Sequence, residues 1–469
     1  MGELAFCVHG HFYQPVREDP INGTIPDERG AMPFRNWNEL IFNHCYKPNA
    51  ELGNFERISF NFGPTLFRWM EEQHPDTYRN IIEQDRRNYE KYGVGNALAQ
   101  SYHHTILPLA SSQDKQTQIR WGIADYEHRF GHKPSGMWLP EAAVDLESLT
   151  IMAEMGVIFT ILAPWQADTF SLDYTQPYLV DLPGGKQITV FFYQQDLSTQ
   201  ISFDPASTEN ADRFAANSIL PRLKSFSGEN RARFIMVASD GELYGHHQPY
   251  RDKFLAHLMN GALTERNVSH VFPALWLLKH PATEKIKIKE YTSWSCHHGV
   301  ERWRGICDCT IHSDWKQSLK QAIDETAAFI DTVYVETLAT YDVDPWTFRD
   351  DYIRVILGQI SESEFIRSWI PNISPSDLQT ISLLMRGQIN RQRMYTSCGW
   401  FFDDFDRIEP INVVSYAAQA LYWISRVSGK NYMEQLLPSY KKISSWRSNL
   451  NGADVFQAQW HKATAAFEV

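Results

Sequence analysis

Two acidic residues stand at the ends of apolar runs, where their carboxylates are suited to acid–base chemistry. Glu141 closes the segment 136–141, and Asp240 follows a run that begins at Phe234. Hydrolysis of a glycosidic bond needs one carboxylate that attacks or stabilises the anomeric carbon and a second that protonates the leaving oxygen, and a separation of about 5–5.5 Å selects the retaining route. Either residue alone could instead cap a helix or join a loop salt bridge. The two together predict a glycosidase-type site.

Histidines form a second group of candidate residues. His9 and His11 follow an apolar run, and adjacent pairs occur at 103–104, 246–247 and 297–298. One interpretation is metal binding, because amidohydrolases collect His-x-His and a late Asp such as Asp240 around a metal, and deacetylases use related sets. The other is hydrogen bonding to sugar hydroxyls. We favour the second, since neighbouring residues of an extended chain point to opposite faces and each pair supplies at most one inward ligand. We therefore assign no metal ligand.

Aromatic residues are abundant, with 15 Trp, 21 Tyr and 27 Phe in 469 residues. Trp and Tyr suit flat substrates that carry hydroxyl groups, so Trp294 and Trp303 are candidate stacking platforms for sugars. Trp400 and Asp403 lie in a further aromatic and acidic segment, 398–404, which either covers a binding site or packs between domains. Cys307 and Cys309 could bind a metal or form a disulfide, but no second thiol pair is close in sequence, so packing is the preferred interpretation.

Composition and charge exclude several classes of function. Lys and Arg total 44 against 56 Asp and Glu, a net charge of −12, which disfavours nucleic-acid and anionic-membrane partners. No apolar run approaches the roughly 18 residues of a membrane span. Six sparse cysteines are typical of free thiols in a reducing compartment, so we expect a cytoplasmic protein. Motifs of serine hydrolases, P-loops and dinucleotide-binding folds are absent from the sequence, which predicts no cofactor. The oligomeric state stays open.

Elements that could position these residues recur through the first 240 positions. Short apolar runs alternate with polar, helix-like stretches, which is the pattern of repeated βα units and predicts a parallel sheet, open or closed. The seven runs are 4–8, 58–62, 94–99, 136–139, 157–162, 188–193 and 234–238. Candidate side chains follow these runs and rarely precede them, as expected for a site at the carboxyl ends of parallel strands. In a barrel of seven strands, the fourth and seventh would place Glu141 and Asp240 nearly opposite each other.

Helical periodicity replaces this pattern after about residue 310. Apolar residues from Trp315 to Leu338 recur near multiples of 3.6 after a candidate N-cap at Ser313. A second helix is predicted over 410–429, with Pro410 in its first turn and Gly429 at its end. We therefore predict a catalytic α/β domain over 1–309 and an α-helical C-terminal domain over 310–469 that contributes to the active-site cleft.

At these residues the chain resembles glycoside hydrolase family 57, whose members act on α-glucans. The resemblance spans about residues 5–305 and rests on segments 9–15 (a variant of His-Gln-Pro), 100–109, 138–141 and 239–245. It implies a distorted, TIM-like (β/α)7 barrel, Glu141 as nucleophile, Asp240 as general acid/base, and His11 and His104 near the sugar at the scissile bond. Trp138 belongs to the nucleophile motif, and the segments around Trp294–Trp303 and 398–404 resemble a subgroup labelled α-amylase/α-mannosidase. The sequence departs from the family's motif pattern at Phe12-Tyr13 and at Asn96, and these departures concern the binding subsites.

The predicted function is that of a retaining glycoside hydrolase or 4-α-glucanotransferase that acts on an α-glucan or malto-oligosaccharide by double displacement. Two alternatives remain: a metal-dependent hydrolase or deacetylase that uses His9, His11, a later histidine and Asp240, and a non-catalytic polysaccharide-binding protein. The residues predicted to contact the substrate are His9, His11, Gln14, His104, Trp138, Trp165, Glu242, His246, Trp294, Trp303, Trp400 and Asp403.

Overall fold

The structure is a computed structural model that describes residues 2–225 and 231–467. It divides into two compact units. Unit 1 comprises Met1–Gln14, Asp27–Ser101 and Tyr126–Trp294, and unit 2 comprises Pro15–Pro26, Tyr102–Asp125 and Ser295–Val469. The predicted domain boundary at residue 309 follows the change in periodicity along the sequence. The two units group the backbone segments that lie close together in space, so the second begins again at Ser295 and includes two earlier segments.

Ten strands occur in the described residues, all of them in unit 1. They are β1 (Leu4–Phe12), β2 (Ser59–Phe62), β3 (Ala99–Gln100), β4 (Met137–Trp138), β5 (Phe159–Leu162), β6 (Tyr178–Asp181), β7 (Gln187–Phe192), β8 (Arg233–Asp240), β9 (Ser269–His270) and β10 (Glu284–Lys285). Seven of them form a parallel barrel in the order β8-β1-β2-β3-β4-β5-β7. Single bridges join Phe60 of β2 to Ala97, just before β3, and Gly136, just before β4, to Phe159 of β5. The Gln194 amide donates to the Met236 carbonyl at 2.8 Å and links β7 to β8.

The seven predicted runs correspond to these seven barrel strands, which confirms the (β/α)7 fold class. The main difference is the third run, where the strand is only Ala99–Gln100 and Ala97 contributes a single bridge. The sequence analysis did not predict β6, which pairs antiparallel with β7. Residues Ala5–Phe12 of β1 are all buried, as expected for a barrel strand with side chains inside and helices outside. Full burial of each large apolar side chain there contributes about 1.5–3 kcal/mol.

Helices alternate with the barrel strands along the chain. In unit 1 they are Trp37–Ile41, Lys47–Glu51, Pro64–Gln73, Pro75–Tyr92, Leu146–Glu154, Gln195–Phe203, Ala211–Phe214, Leu220–Lys224, Arg251–His257 and Pro273–Lys279; Ser112–Phe130 has residues in both units. Short 3₁₀ turns over Pro140–Ala142 and Gly241–Leu243 directly follow β4 and β8. The first turn carries Glu141 and the second carries Glu242. The candidate site therefore lies at the carboxyl ends of β4 and β8.

Unit 2 is helical in the described residues. Its helices are Glu301–Arg304, Asp314–Ala339, Pro345–Asp351, Ile353–Ile356, Glu362–Trp369, Pro375–Arg393, Cys398–Phe401, Ile408–Ser428, Met433–Tyr440 and Gly452–Phe467. Both predicted long helices are present, and the apolar stripe from Trp315 to Leu338 is buried. Ser313 stands at the predicted N-cap position, although its hydroxyl bonds to the backbone of Cys307 and makes no capping bond to the helix. No helix within 2–225 or 231–467 combines the length and apolar character needed to cross a membrane.

Candidate active site

Glu141 lies in the turn after β4, in a backbone conformation that residues other than glycine rarely adopt. Its φ is 57° and that of Ala142 is 47°, both in the left-handed region. Such residues each cost about 1–3 kcal/mol and persist where their surroundings hold them in place. Here Trp294 donates its backbone amide to the Glu141 carbonyl at 2.9 Å and its indole Nε1 to Glu141 Oε2 at 3.1 Å. The Gln166 amide group also binds the Ala142 carbonyl at 2.8 Å.

Asp240 is the last residue of β8 and lies in register with His11 of β1. Its side chain is accessible to solvent, yet protein atoms surround it densely. This confinement, together with the nearby charge of Glu141, raises the pKa of Asp240 to about 7. Glu141 and Asp240 are therefore close enough to interact electrostatically. Near neutral pH a substantial fraction of Asp240 is protonated, which is the state that a general acid requires.

Four aromatic rings lie close together beside these carboxyl groups. Trp138 stacks on His9 and His11, with ring centroids 4.8 and 5.3 Å apart. Trp294 meets Trp138 edge to face at 4.9 Å, and His11 at 6.1 Å. All four residues were predicted from sequence as substrate contacts, and the structure brings them together. Rings of this kind offer apolar faces together with N–H groups, which suits the binding of sugars.

Both histidines of this group are neutral near pH 7. Burial and the neighbouring His11 lower the pKa of His9 to about 3, and burial lowers that of His11 to about 4. A neutral imidazole can either donate or accept a hydrogen bond at each nitrogen, depending on its tautomer. The Nε2 atom of His9 and the Nε1 atom of Trp138 are buried and have no partner within the described chain.

A polar layer on β2 and β3 orients these histidines. His9 Nδ1 lies 3.0 Å from Ser59 Oγ, and His11 Nδ1 lies 3.0 Å from Asn61 Nδ2 and 3.2 Å from its Oδ1. Asn61 Nδ2 also donates to Gln100 Oε1 at 2.6 Å. The sequence analysis missed Ser59 and Asn61. Their signal was the alternation of polar and aromatic residues in Ser59–Phe62, which in register with β1 places each polar residue beside a histidine.

Glu242 follows Asp240 by two residues but is enclosed by protein. Its Oε1 accepts hydrogen bonds from the Tyr46 hydroxyl at 2.7 Å and the Tyr13 amide at 3.1 Å, and the side chain of Gln14 donates to the same Tyr46 hydroxyl. Burial, with a further contribution from Asp240, raises the pKa of Glu242 to about 8. Glu242 and Gln14 thus form a buried network with Tyr46, a residue that had no distinguishing motif in the sequence.

Trp165 and His246 occupy other turns of unit 1. Trp165 is half-buried and donates its Nε1 to the Ser293 carbonyl at 2.9 Å, one residue before Trp294. His246 is also half-buried, and burial, with contributions from His247 and His44, lowers its pKa to about 4. Both residues follow barrel strands, as the sequence predicted.

The remaining four predicted contacts belong to unit 2. His104 is buried, has a φ of 56°, and its Nδ1 lies 2.6 Å from Ser397 Oγ. Trp303 and Trp400 line a cavity of about 380 Å³ within unit 2, together with the charged residues Asp114, Lys320, Asp324, Asp331 and Arg391. Trp400 donates its Nε1 to the Lys316 carbonyl, whereas Trp303 Nε1 is buried without a partner in the described chain. Asp403 forms an ion pair with Arg447.

The metal interpretation of the histidines finds no matching geometry. Across 2–225 and 231–467, the one group of three or more His, Cys, Asp or Glu side chains with ligand atoms close enough to hold a metal ion lies in unit 2. His9, His11 and Asp240 do not form such a group among the described residues. The Nδ1 atoms of the two histidines face Ser59 and Asn61 instead.

Comparison with known proteins adds independent information. The family model described as "Glycosyl hydrolase family 57" matches residues 7–289, and a "Domain of unknown function (DUF3536)" matches residues 312–468. A 4-alpha-glucanotransferase of Thermococcus litoralis is 24% identical over 213 residues, which cover 44% of this chain and 30% of that protein. Alpha-amylase 1 of Dictyoglomus thermophilum is 25% identical over 249 residues, covering 52% and 32%. The chain thus spans about a third of the length of these curated relatives.

Solved structures are similar over nearly the whole chain, and one of them illustrates the match. It is a novel exo-type maltose-forming amylase from Pyrococcus sp. ST04, with a TM-score of 0.75 and 16% sequence identity. The match covers 98% of this chain and 88% of that one. At this identity the likeness establishes a common fold, and the residues of the site must supply the argument for chemistry.

Proposed function

The chain belongs to glycosyl hydrolase family 57, and we propose that it is a retaining enzyme that hydrolyses or transfers α-linked glucosyl groups. The observation that carries this proposal is the pair Glu141 and Asp240, in which the charge of one carboxyl group helps to raise the pKa of the other to about 7. Two carboxyl groups at different protonation states are what double displacement requires. The names of the glucanotransferase and the amylases to which the chain is similar support an α-glucan or malto-oligosaccharide as substrate.

In the first half of the proposed reaction, Glu141 attacks the anomeric carbon while Asp240 donates its proton to the departing glycosidic oxygen. The bond from Trp294 Nε1 holds the Glu141 carboxylate in one orientation. This step forms a covalent glycosyl–enzyme ester and leaves Asp240 ionised. Asp240 then acts as general base in the second half.

The second half of the reaction sets the outcome. If Asp240 removes a proton from water, the product is a free sugar and the reaction is hydrolysis. If Asp240 removes a proton from a hydroxyl group of another glucan, the glucosyl chain is transferred and Glu141 is released in the same way. Both outcomes use the same two carboxyl groups, so the choice depends on whether an acceptor sugar is bound.

Substrate binding is proposed to use the ring cluster of His9, His11, Trp138 and Trp294 in unit 1, with Trp165 and His246 as further contacts. The partly exposed indole ring of Trp294 can stack on a sugar face, while the buried Trp138, His9 and His11 support it from below. Gln14 and Glu242 contribute through the Tyr46 network, which positions the turn after Asp240.

In unit 2, we propose that Trp303 and Trp400 bind a sugar unit in the cavity of about 380 Å³. Its size falls in the range of small-ligand sites, and Trp303 and Trp400 both line it. His104 and Asp403 are proposed as further binding residues of this unit. Trp303→Phe should raise KM for maltoheptaose and leave kcat largely unchanged, with Trp460→Phe as the control. Unchanged KM in Trp303→Phe would remove this residue from the binding site.

The test of the main proposal is product analysis with maltoheptaose and glycogen, for the wild type, Glu141→Gln and Asp240→Asn. Shorter or redistributed oligosaccharides from the wild type, with turnover lower by several orders of magnitude in both variants, support the assignment. NMR of the first product formed should show the α-anomer, because a retaining enzyme preserves the configuration. Glucan binding without products would favour the polysaccharide-binding alternative.

The cellular location is proposed to be the cytoplasm. The six cysteines all lie in the described part of the chain and form no disulfide. Structural disulfides are typical of oxidising compartments, and the proposal rests on the small number and wide spacing of the cysteines in the sequence.

A further inference from the structure

Three cysteines and a histidine converge in unit 2, outside the candidate active site. They are Cys296, His298, Cys307 and Cys309, and their Sγ and ring nitrogen atoms all lie within 4.8 Å of one another. Cys296 and Cys307 are buried, Cys309 is partly exposed and His298 is exposed. Cys307 and Cys309 were interpreted from sequence as packing residues, because no second thiol pair lies close to them in the sequence. The thiol that completes the group, Cys296, lies 11 positions before Cys307.

Four of the six distances between these atoms are close to those of a tetrahedron of ligands around one small ion. Cys296 Sγ lies 3.6 Å from Cys307 Sγ and 3.8 Å from Cys309 Sγ. His298 Nδ1 lies 3.4 Å from the sulfur atoms of both Cys307 and Cys309. With Zn–S bonds of about 2.3 Å and Zn–N bonds of about 2.0–2.1 Å, tetrahedral geometry requires roughly 3.8 Å between sulfurs and roughly 3.5 Å between sulfur and nitrogen.

The backbone around the cluster is arranged in two similar turns. The Gly299 amide donates to the Cys296 carbonyl at 3.1 Å, and the Thr310 amide donates to the Cys307 carbonyl at 3.1 Å. Each turn thus presents two ligands separated by one residue. Gly299 has a φ of 77°, which only glycine adopts without strain, so the first turn depends on this residue.

Hydrogen bonds from backbone amides and a buried positive charge surround the sulfur atoms. The amides of His298 and Arg302 donate to the Cys296 sulfur, and the amide of His297 donates to that of Cys309. Lys316 is buried beside the cluster, and its positive charge interacts with all three sulfur atoms. Three thiolates, a neutral imidazole and a divalent cation carry a net charge of −1, which Lys316 offsets.

We propose that Cys296, His298, Cys307 and Cys309 bind one zinc ion. Three thiolates and an imidazole form a ligand set that zinc prefers, and four protein ligands leave no open position, which is typical of a structural rather than a catalytic site. The ligand atoms are too close together to enclose a cluster of several metal ions. Binding to the protonated protein would release three thiol protons, one for each new Zn–S bond.

A structural role follows from where the ligands lie in the chain. Residues 296–309 contain only the short helix Glu301–Arg304 and lead into the long helix Asp314–Ala339. The Ser313 hydroxyl, at the start of that helix, exchanges hydrogen bonds with the backbone of Cys307 at 3.1 and 3.2 Å. A bound ion would therefore hold this segment in one conformation and fix the start of the helix.

The test begins with the metal content of the full-length protein, purified under reducing conditions without chelators. We expect about one zinc per chain, and a reduction of tenfold or more in Cys296→Ser and Cys307→Ser. Cys398→Ser is the matched control, since this cysteine lies in unit 2 outside the cluster, and it should retain the ion. Wild-type protein that contains no zinc, and takes up none from added zinc chloride, would overturn the proposal.

A second measurement on the wild type avoids dependence on variants that fold poorly. Replacement of zinc by Co(II) should produce the visible d–d bands of a tetrahedral site and a thiolate-to-cobalt charge-transfer band in the near ultraviolet. Spectra of octahedral Co(II) without thiolate bands would contradict the assignment. Zinc that survives in Cys307→Ser but is lost in Asp240→Asn would instead place the ion at the candidate active site, so the two metal hypotheses are separable.

Discussion

The indole Nε1 of Trp294 donates a hydrogen bond to Oε2 of Glu141 at 3.1 Å, and the backbone amide of the same tryptophan binds the Glu141 carbonyl at 2.9 Å. Two bonds from one residue thus hold both the carboxylate and the strained backbone of the proposed nucleophile. The residues are separated by 153 positions in sequence. Their pairing links the turn after β4 to the last residue of unit 1.

Trp294→Phe should lower kcat/KM for maltoheptaose by about 10- to 100-fold, because a hydrogen bond to a charged group contributes about 1.5–3 kcal/mol. The phenyl ring retains much of the apolar contact with Trp138, so the fold should be preserved. Steady-state kinetics and the thermal unfolding midpoint measure the two effects separately. Trp460→Phe, in the helix Gly452–Phe467, is the control and should retain wild-type kinetics. Equal kinetics in the two variants would show that the Nε1 bond does not contribute to catalysis.

The pH dependence of kcat/KM should report the proton on Asp240. The dense protein surroundings of Asp240 and the charge of Glu141 raise the pKa of this residue to about 7, and the first step requires the protonated form. Activity should therefore be retained below this value and decline tenfold per unit well above it. In Glu141→Gln the electrostatic contribution is lost, so the pKa of Asp240 should fall, while the surrounding protein atoms keep it above the ordinary value; NMR of labelled aspartate carboxyls can follow this. A flat profile between about pH 6 and 9 would contradict the assigned role.

Most of the barrel could be predicted from sequence because strand formation depends on local patterns. The runs at 4–8 and 234–238 are apolar on both faces, and each ends at polar residues that the structure places at the site. Glu141 and Asp240 were identifiable by the same argument. The electrostatic interaction between these two residues could not be predicted from sequence, because it depends on how the turns after β4 and β8 fold.

Long-range pairings account for what sequence did not predict. Asn61 contacts His11 only because β2 pairs with β1 in one register, and a shift by one residue would place Phe60 or Phe62 there. Similarly, Cys296 meets Cys307 and Cys309 through two turns separated by a short helix, a spacing unlike the common paired Cys-x-x-Cys pattern. The division into units also depends on packing, which the change in periodicity near residue 310 does not encode.

Asn61 is expected to act as a positioning residue for His11. Asn61→Leu removes the partner of His11 Nδ1 and of Gln100 Oε1, so the imidazole can rotate and kcat/KM should fall by about tenfold. Asn80→Leu is the control, since the Asn80 side chain bonds to the Ala50 carbonyl and to the side chain of Gln84, both in unit 1 and away from β2. The NMR signals of the His11 ring nitrogens should show a change of tautomer population in Asn61→Leu alone. Loss of stability without this spectral change would indicate a purely structural role.

A charged network in unit 2 should determine much of the stability of that unit. Asp114 lies 2.7 Å from Arg391 and 3.0 Å from Arg349, and both pairs are buried. Burial alone would raise the pKa of Asp114, but the charges of Arg391 and Arg349 hold this pKa well below its usual range. Asp114→Asn leaves the two guanidinium groups with less compensation, so we expect the free energy of unfolding to fall by about 3–5 kcal/mol.

The sign of the pH effect distinguishes this explanation from a change in packing. Because the pKa of Asp114 is lowered in the folded state, its contribution is fully present above the unfolded pKa of about 3.9 and is lost as the pH falls toward the folded value. The difference between wild type and Asp114→Asn, measured by urea unfolding, should therefore shrink in acid. Asp181→Asn, which breaks an exposed pair with Lys285, should change stability little at any pH. If the difference in the free energy of unfolding between wild type and Asp114→Asn stays constant in acid, the effect of the substitution comes from altered packing and not from the lost charge.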